Sequence, residues 1–180
     1  MKKPRIISKK TLVMNSVATV IGAVIVTAFV TPAFADEEDA PMTVQIARLS
    51  SEAATAAAQG AMLDCRKRGF QATATVVDKN GIVQAVVRDT LAPPVSIPIS
   101  KAKAYTAVNF SADTSAMADR ANTAVGMFDG VLMSAGGAVI NIGGKIYGAI
   151  GVSGAPGGDI DEACAKAGIE VIAEDLEMAD

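Results

Sequence analysis

The sequence predicts an α+β domain built on a five-stranded antiparallel sheet with helices packed on it. Three observations lead there. Apolar and small residues recur at spacings of three and four near both ends of the chain, as helices require, while the stretches between are rich in Val, Thr and Ile. The connections between consecutive strand-like stretches are tight turns, far shorter than the crossover of about a dozen residues that parallel neighbours need. The element order of helix, hairpin, short helices, three strands and helix also lacks the regular strand–helix alternation of a doubly wound sheet.

The first 35 residues stand apart from that domain. They hold five cations (Lys2, Lys3, Arg5, Lys9 and Lys10) and no carboxylate, then an apolar run over 17–30, then Thr31-Pro32-Ala33-Phe34-Ala35. A basic start, an apolar middle and small residues at Ala33 and Ala35 make up a secretory signal peptide, with cleavage expected before Asp36. The alternative, an uncleaved membrane anchor, draws on the length of the apolar run. Cleavage implies a periplasmic or secreted protein with no remaining membrane attachment, an acidic leader over 36–42 and a folded domain over 43–180.

Within the domain, residues 43–68 place Ile46, Leu49, Ala53, Ala56, Gly60 and Leu63 on one helical face. Small side chains dominate that face, so a close helix partner is expected, and Gly69 supplies the stop. Residues 71–77 and 82–88 read as a β-hairpin around Asp78-Lys79-Asn80-Gly81, in which Asn80 and Gly81 tolerate positive φ. A loop with three prolines follows over 89–98. Ser100 is expected to cap a short helix over 101–108, and Thr114 another over 115–122. Strands over 131–133, 138–142 and 145–152 bring the total to five, the last two joined by Gly143-Gly144. Asp159 is expected to cap a final helix with a break at Gly168. Its first turn carries Asp161 and Glu162, where the macrodipole favours negative charge.

Composition excludes several chemistries. The chain has no histidine and no tryptophan, which removes Ser-His-Asp and Cys-His catalysis, bis-histidine haem ligation and the common zinc sites. Taking the five leader cations from the sixteen leaves eleven against nineteen carboxylates, a net charge of −8 beyond residue 35. So acidic a domain is a poor nucleic-acid binder. In an oxidising compartment Cys65 and Cys164 can form a disulfide; otherwise they are two buried thiols.

Two clusters could carry function. Nine of the sixteen glycines fall between Gly136 and Gly158, a density that suits either backbone approach to a ligand or close packing of a flat sheet. In Ser100-Lys101-Ala102-Lys103-Ala104-Tyr105-Thr106, Lys103 and Thr106 are neighbours on a helix face. A cation beside a hydroxyl suits a carboxylate ligand; the alternative is a solvated lysine and a threonine bonded to its own helix. No nucleophile has a neighbouring base in sequence, so a binding module is favoured over an enzyme.

Four stretches, in order, resemble the GlcG/HbpS family of haem-binding proteins: Ala72-Thr73-Ala74-Thr75-Val76-Val77-Asp78-Lys79-Asn80-Gly81; Val87-Arg88-Asp89; Lys103-Ala104-Tyr105-Thr106-Ala107; and Gly148-Ala149-Ile150-Gly151-Val152-Ser153-Gly154 followed by residues 159–168. The resemblance spans nearly the whole domain. It implies a profilin-like α/β/α fold, a homo-oligomer, haem as cofactor and, for an exported member, a role under redox stress with an extracellular sensor domain as partner. It also implies ligand-binding roles for Arg88, Lys103, Tyr105, Thr106 and Thr114. Thr106 would lie at the iron with Thr114 as its rival, and Lys103 and Arg88 would face the haem propionates. Related domains in glycolate and corrinoid metabolism make a small carboxylate the alternative ligand. Two departures, Thr90-Leu91 after Asp89 and Gly136-Gly137-Ala138-Val139 before the fourth strand, fall where the family commonly has Gly-Ala and Gly-Gly-x-Pro.

Expressed with its leader in a bacterium that exports proteins, the chain should yield a product beginning at Asp36, as read by intact mass. A membrane-retained species that still begins at Met1 would establish the anchor instead.

Overall fold

The computed structural model describes residues 41–179. The expected signal peptide, 1–35, and all but the last two residues of the acidic leader, 36–42, lie outside that range. Among the described residues no helix is long and apolar enough to cross a membrane.

The first helix is shorter than its periodicity suggests. Residues 43–49 have no regular secondary structure, and α1 (Ser51–Lys67) begins where the Ser50 hydroxyl accepts the Ala53 N–H at 3.1 Å. It ends at Gly69, whose φ of +90° closes the helix as expected. The buried face is rotated from the expected one: Ala54, Ala57, Ala58, Ala61, Met62 and Cys65 point inward, while Ile46 and Leu63 are exposed. With six alanines between 53 and 61, small residues lie on every side, so their spacing could not select the face.

The hairpin forms as expected from β1 (Thr73–Asp78) and β2 (Val83–Arg88). Asp78 shapes the turn by accepting the Asn80 and Ile82 N–H groups on Oδ1, each at 2.9 Å, and Gly81 alone takes positive φ. The next helix, α2 (Ser96–Phe110), starts well before Ser100, with Pro98 tolerated in its first turn. Ser100 is therefore no cap; it is buried in the helix interior. A 3-10 helix follows over Thr114–Arg120, and Asp113 rather than Thr114 holds its N-cap position.

The strand expected at 131–133 is absent, because the Leu132 N–H is donated to the Thr106 hydroxyl at 2.7 Å and not to a neighbouring strand. Strands β3 (Gly137–Ile142) and β4 (Lys145–Ser153) form a hairpin around Gly143-Gly144, which gives four antiparallel strands rather than five among the described residues, in the order β2-β1-β4-β3. Gly157 holds the N-cap position of α3 (Gly158–Met178), so Asp159 lies inside the helix, and the helix runs through Gly168 unbroken.

Helices cover both faces of the sheet. Ala74, Val76, Ile140, Ile150 and Val152 project to the side of α1 and α3, and Val77, Val139 and Ala149 to the side of α2. On the first side Cys65 and Cys164 are joined by a disulfide between α1 and α3, 99 residues apart in sequence. Closing a loop of that length stabilises a fold by up to about 4.7 kcal/mol in the chain-entropy view. Gly168 is what lets these helices touch, since a Cβ there would overlap the Ala57 carbonyl and lie 2.8 Å from the Ala61 Cβ.

The glycine-rich segment has the same purpose on the other side. Gly137 and Gly151 face each other across β3 and β4. A Cβ on Gly151 would strike the Ser100 carbonyl, and one on Gly137 would lie 2.6 Å from the Lys103 carbonyl oxygen. The backbone that approaches these two glycines is thus that of α2. Hydroxyl pairs complete the seam, Thr73 with Ser96 at 2.6 Å and Thr75 with Ser100 at 2.7 Å, all four buried.

Gly168→Ala should lower stability, because overpacking against a backbone carbonyl costs about 1–3 kcal/mol and outweighs the roughly 1 kcal/mol gained in helix propensity. Gly60→Ala meets chiefly the movable Val171 side chain and should be the milder change. Urea midpoints of the two variants check the order.

Candidate functional site

Helix α2 has two chemically distinct faces, and its seat on Gly137 and Gly151 decides which residue belongs to which. Ser96, Ser100, Lys103, Ala104, Thr106 and Ala107 are buried. Pro98, Lys101, Ala102 and Tyr105 face outward and, with Asp129 and Gly130, line a groove of about 320 Å3.

The inward face carries an ion pair. Lys103 Nζ donates to Asp161 Oδ2 at 2.8 Å and to the Val152 carbonyl at 3.0 Å, with both side chains almost fully buried. Burial pushes the Asp161 carboxyl above its ordinary value, opposed by Lys103 and by the Ala155 N–H that it accepts at 3.0 Å. Gly136 makes room for the ammonium, since a Cβ there would lie 2.5 Å from Lys103 Nζ. Next to this pair, Glu162 accepts the Ser115 hydroxyl at 2.8 Å, the Ser115 and Gly136 N–H groups and Lys166 Nζ at 3.0 Å. Burial raises the Glu162 pKa, but these donors together hold it below the usual carboxylate value. The acidic first turn of α3 therefore anchors α2, β3 and the 3-10 helix.

The outward groove is of a different kind. Its floor is α2 itself, its lining is largely apolar, and it offers one phenol, one ammonium and one carboxylate. Tyr105 is half-buried because its ring lies on Gly81, where a Cβ would come within 2.8 Å of Cδ2. The hairpin turn thus orients the phenol. At 320 Å3 the groove sits at the low end of the roughly 300–1,000 Å3 usual for small-molecule sites. Beside Asp129 in sequence, Val125, Met127 and Phe128 are exposed.

The structure separates the residues that sequence reasoning put together. Of the five expected ligand residues only Tyr105 lines the groove. Lys103 is not open to a propionate or other carboxylate, because its ammonium is already committed to Asp161. Thr106 is fully buried; its hydroxyl donates to the Ala102 carbonyl at 2.8 Å and accepts the Leu132 N–H at 2.7 Å. Thr114 is equally buried and accepts the Gly137 N–H at 2.8 Å. Arg88 is exposed at the end of β2, where Nη1 donates to the Ala92 carbonyl, and it is not part of the groove. Its neighbour Asp89 takes a two-pronged bond from Arg66, at 2.7 and 2.9 Å. That bond, with help from the Thr90 N–H and against burial, holds the Asp89 pKa down. Lys101 and Asp129 line the groove without having been among the expected residues; the helical spacing of Lys101 from Tyr105 is the available signal for one of them.

With this geometry in view, comparison with known proteins decides the family. The model for "Haem degrading protein HbpS-like" matches residues 49–170. The chain belongs to the HbpS-like family. Among solved structures, HbpS is similar in two forms. A double mutant of the Streptomyces reticuli protein is 39% identical over 72% of this chain and 90% of its own, with a TM-score of 0.68. A second HbpS structure is 38% identical over 73% and 94%, with a TM-score of 0.69. The complex of PduOC with haem shares the fold at 22% identity, covering 69% of this chain and 95% of that one, with a TM-score of 0.63. No curated protein matches. This HbpS-like chain thus carries the α+β fold of a haem-related family.

Lys103→Met should cost about 3–5 kcal/mol near neutral pH, as removal of one partner of a buried pair does. The loss should shrink on acidification: Asp161 has a raised pKa in the folded state, so the folded variant takes up the proton first and gains stability as pH falls through that pKa. Adding Asp161→Leu should recover much of the loss. Urea unfolding of both variants between neutral and acidic pH provides the check.

Proposed function

We propose that this chain binds haem in the outward groove of α2, outside the cytoplasm. The observation that carries the reading is membership of a family described as haem degrading, over residues 49–170. The groove fits one part of a porphyrin: Pro98 and Ala102 supply apolar contact, Lys101 is a cation for a propionate, and Tyr105 is a phenol able to face the iron. The metal-side role that the resemblance assigned to Thr106 passes in this reading to Tyr105. A haem complex of a protein with the same fold supports the view that the architecture tolerates the cofactor. A groove this small and open leaves much of the macrocycle uncovered, which favours a homo-oligomer whose second subunit closes the site.

Export is supported by the Ala33-Phe34-Ala35 end of the leader and by a disulfide, a bond that persists in oxidising compartments. A haem protein so placed is suited to redox stress, with the extracellular domain of a sensor as the partner to test.

Haemin titration should give a saturable Soret shift at one haem per subunit or per subunit interface. Tyr105→Phe should move the Soret maximum and weaken binding about tenfold, close to 1.4 kcal/mol. Lys101→Ala should weaken binding without moving the band, and Thr106→Ala should lower stability and leave the band in place. Without saturation in the parent protein, a small carboxylate becomes the ligand to try. Decay of the Soret band in air with a reductant would add turnover, as the family description suggests.

A further inference from the structure

The described residues contain a segment with a strand's sequence pattern but no sheet, and a sheet edge with no neighbouring strand. Residues 43–47, Thr-Val-Gln-Ile-Ala, alternate polar and apolar, a period of two that suits a half-buried strand. All of 41–48 are exposed, with Val44 and Ile46 among the large apolar residues in water. Among the described residues no main-chain hydrogen bond ties 43–48 to another element. The root of this arm is fixed: Gln84 Nε2 donates to the Leu49 carbonyl at 2.9 Å, and Arg48 pairs with Asp78 at 3.3 Å. The junction is imperfect, since Gln84 Oε1 is buried without a donor.

The two edges of the sheet are not equivalent. On β3 the N–H groups of Gly137 and Val139, two residues apart and so on one side of the strand, are donated to the Thr114 hydroxyl at 2.8 Å and the Asp113 carboxylate at 3.0 Å. That edge is closed by side chains. On β2 no such cover exists among the described residues, and Val83 and Val86 are exposed. A bare edge with apolar side chains is a template for another strand.

We propose that residues 43–47 form a fifth strand on β2 of a second copy of this chain, each copy lending its arm to the other. Five extended residues span about 17 Å, close to the length of the six-residue β2. Val44 and Ile46 then lie beside Val83 and Val86, which takes the exposed apolar groups of both segments out of water. The exchange is isologous, as a two-fold dimer requires.

The test uses the full chain expressed with its leader. Tagged Val44→Cys protein is mixed with untagged Val86→Cys protein under mild oxidation; the native cysteines are fully buried in their own bridge and do not compete. The expected result is a disulfide-linked product containing one chain of each kind, together with at least a twofold fall in the mass of the assembly on Val44→Pro. Because Val44 lies outside the core of its own subunit, the proline variant should keep the helical circular dichroism of the parent. No inter-chain product, or a parent protein with the mass of one chain, overturns the proposal. A Val44→Cys, Val86→Cys double variant that links only within its own chain does so as well, by showing that the arm folds back on its own sheet.

Discussion

The seat of α2 on Gly137 and Gly151 is the contact on which the rest of the structure depends. Two facing glycines on neighbouring strands remove the layer of side chains that would hold a helix away from the sheet, so the helix backbone meets the strands directly. At that distance only small or hydrogen-bonded groups fit beneath the helix, which explains Ser96, Ser100, Ala104 and Ala107 on its inner face. The buried hydroxyl pairs with Thr73 and Thr75 satisfy polar groups that would otherwise cost about 1–3 kcal/mol each. The contact also fixes the rotation of α2, and with it the set of side chains left to face outward.

The buried charges follow from the same geometry. Lys103 points into the region between Gly136 and the start of α3, where a cation without a carboxylate would be untenable. Asp161 meets it, and Glu162, one residue on, gathers the donors of the 3-10 helix and of Gly136. The first turn of α3 therefore ties together segments far apart in sequence. On the opposite face the Cys65–Cys164 bridge and the close approach at Gly168 hold α1 against α3, so α3 is fixed both by its polar start and by its covalent middle.

Much of this was legible in the sequence where local chemistry decides. The hairpin around Gly81, the turn at Gly143-Gly144 and the stop at Gly69 follow from conformational preference, whereas the sequence left the two cysteines open between a bridge and two buried thiols, and the structure joins them. What could not be read was direction. Lys103 and Thr106 do share a helix neighbourhood, as their spacing implies, but spacing does not say whether that face meets water or another carboxylate 58 residues later. The alanine-rich first helix lacked contrast between faces, and Val-Leu-Met at 131–133 has strand composition although its backbone bonds to a threonine side chain. Gly168 reads as a helix break in sequence and is a helix contact in space. Each of these misses is a tertiary partner overriding a local preference.

The burial of Thr106 and Lys103 bears directly on where a haem can lie. In this conformation both side chains are bonded inside the protein, and freeing them would break the Lys103–Asp161 pair and the Leu132–Thr106 bond. In the reading proposed above the ligand surface is the outer face of α2, where Tyr105 is braced by Gly81 and Lys101 would follow a propionate. A porphyrin resting on one helix face gains apolar burial at about 25 cal/mol per Å2 on that side only. Tight binding then requires a second apolar surface over the other side, and the exposed Val125, Met127 and Phe128 beside Asp129 are the apolar groups of this chain best placed in sequence to provide it from a neighbouring copy. On this argument affinity for haem and self-association are linked: whatever separates the subunits should loosen the ligand, and the ligand should hold the subunits together by the same free energy.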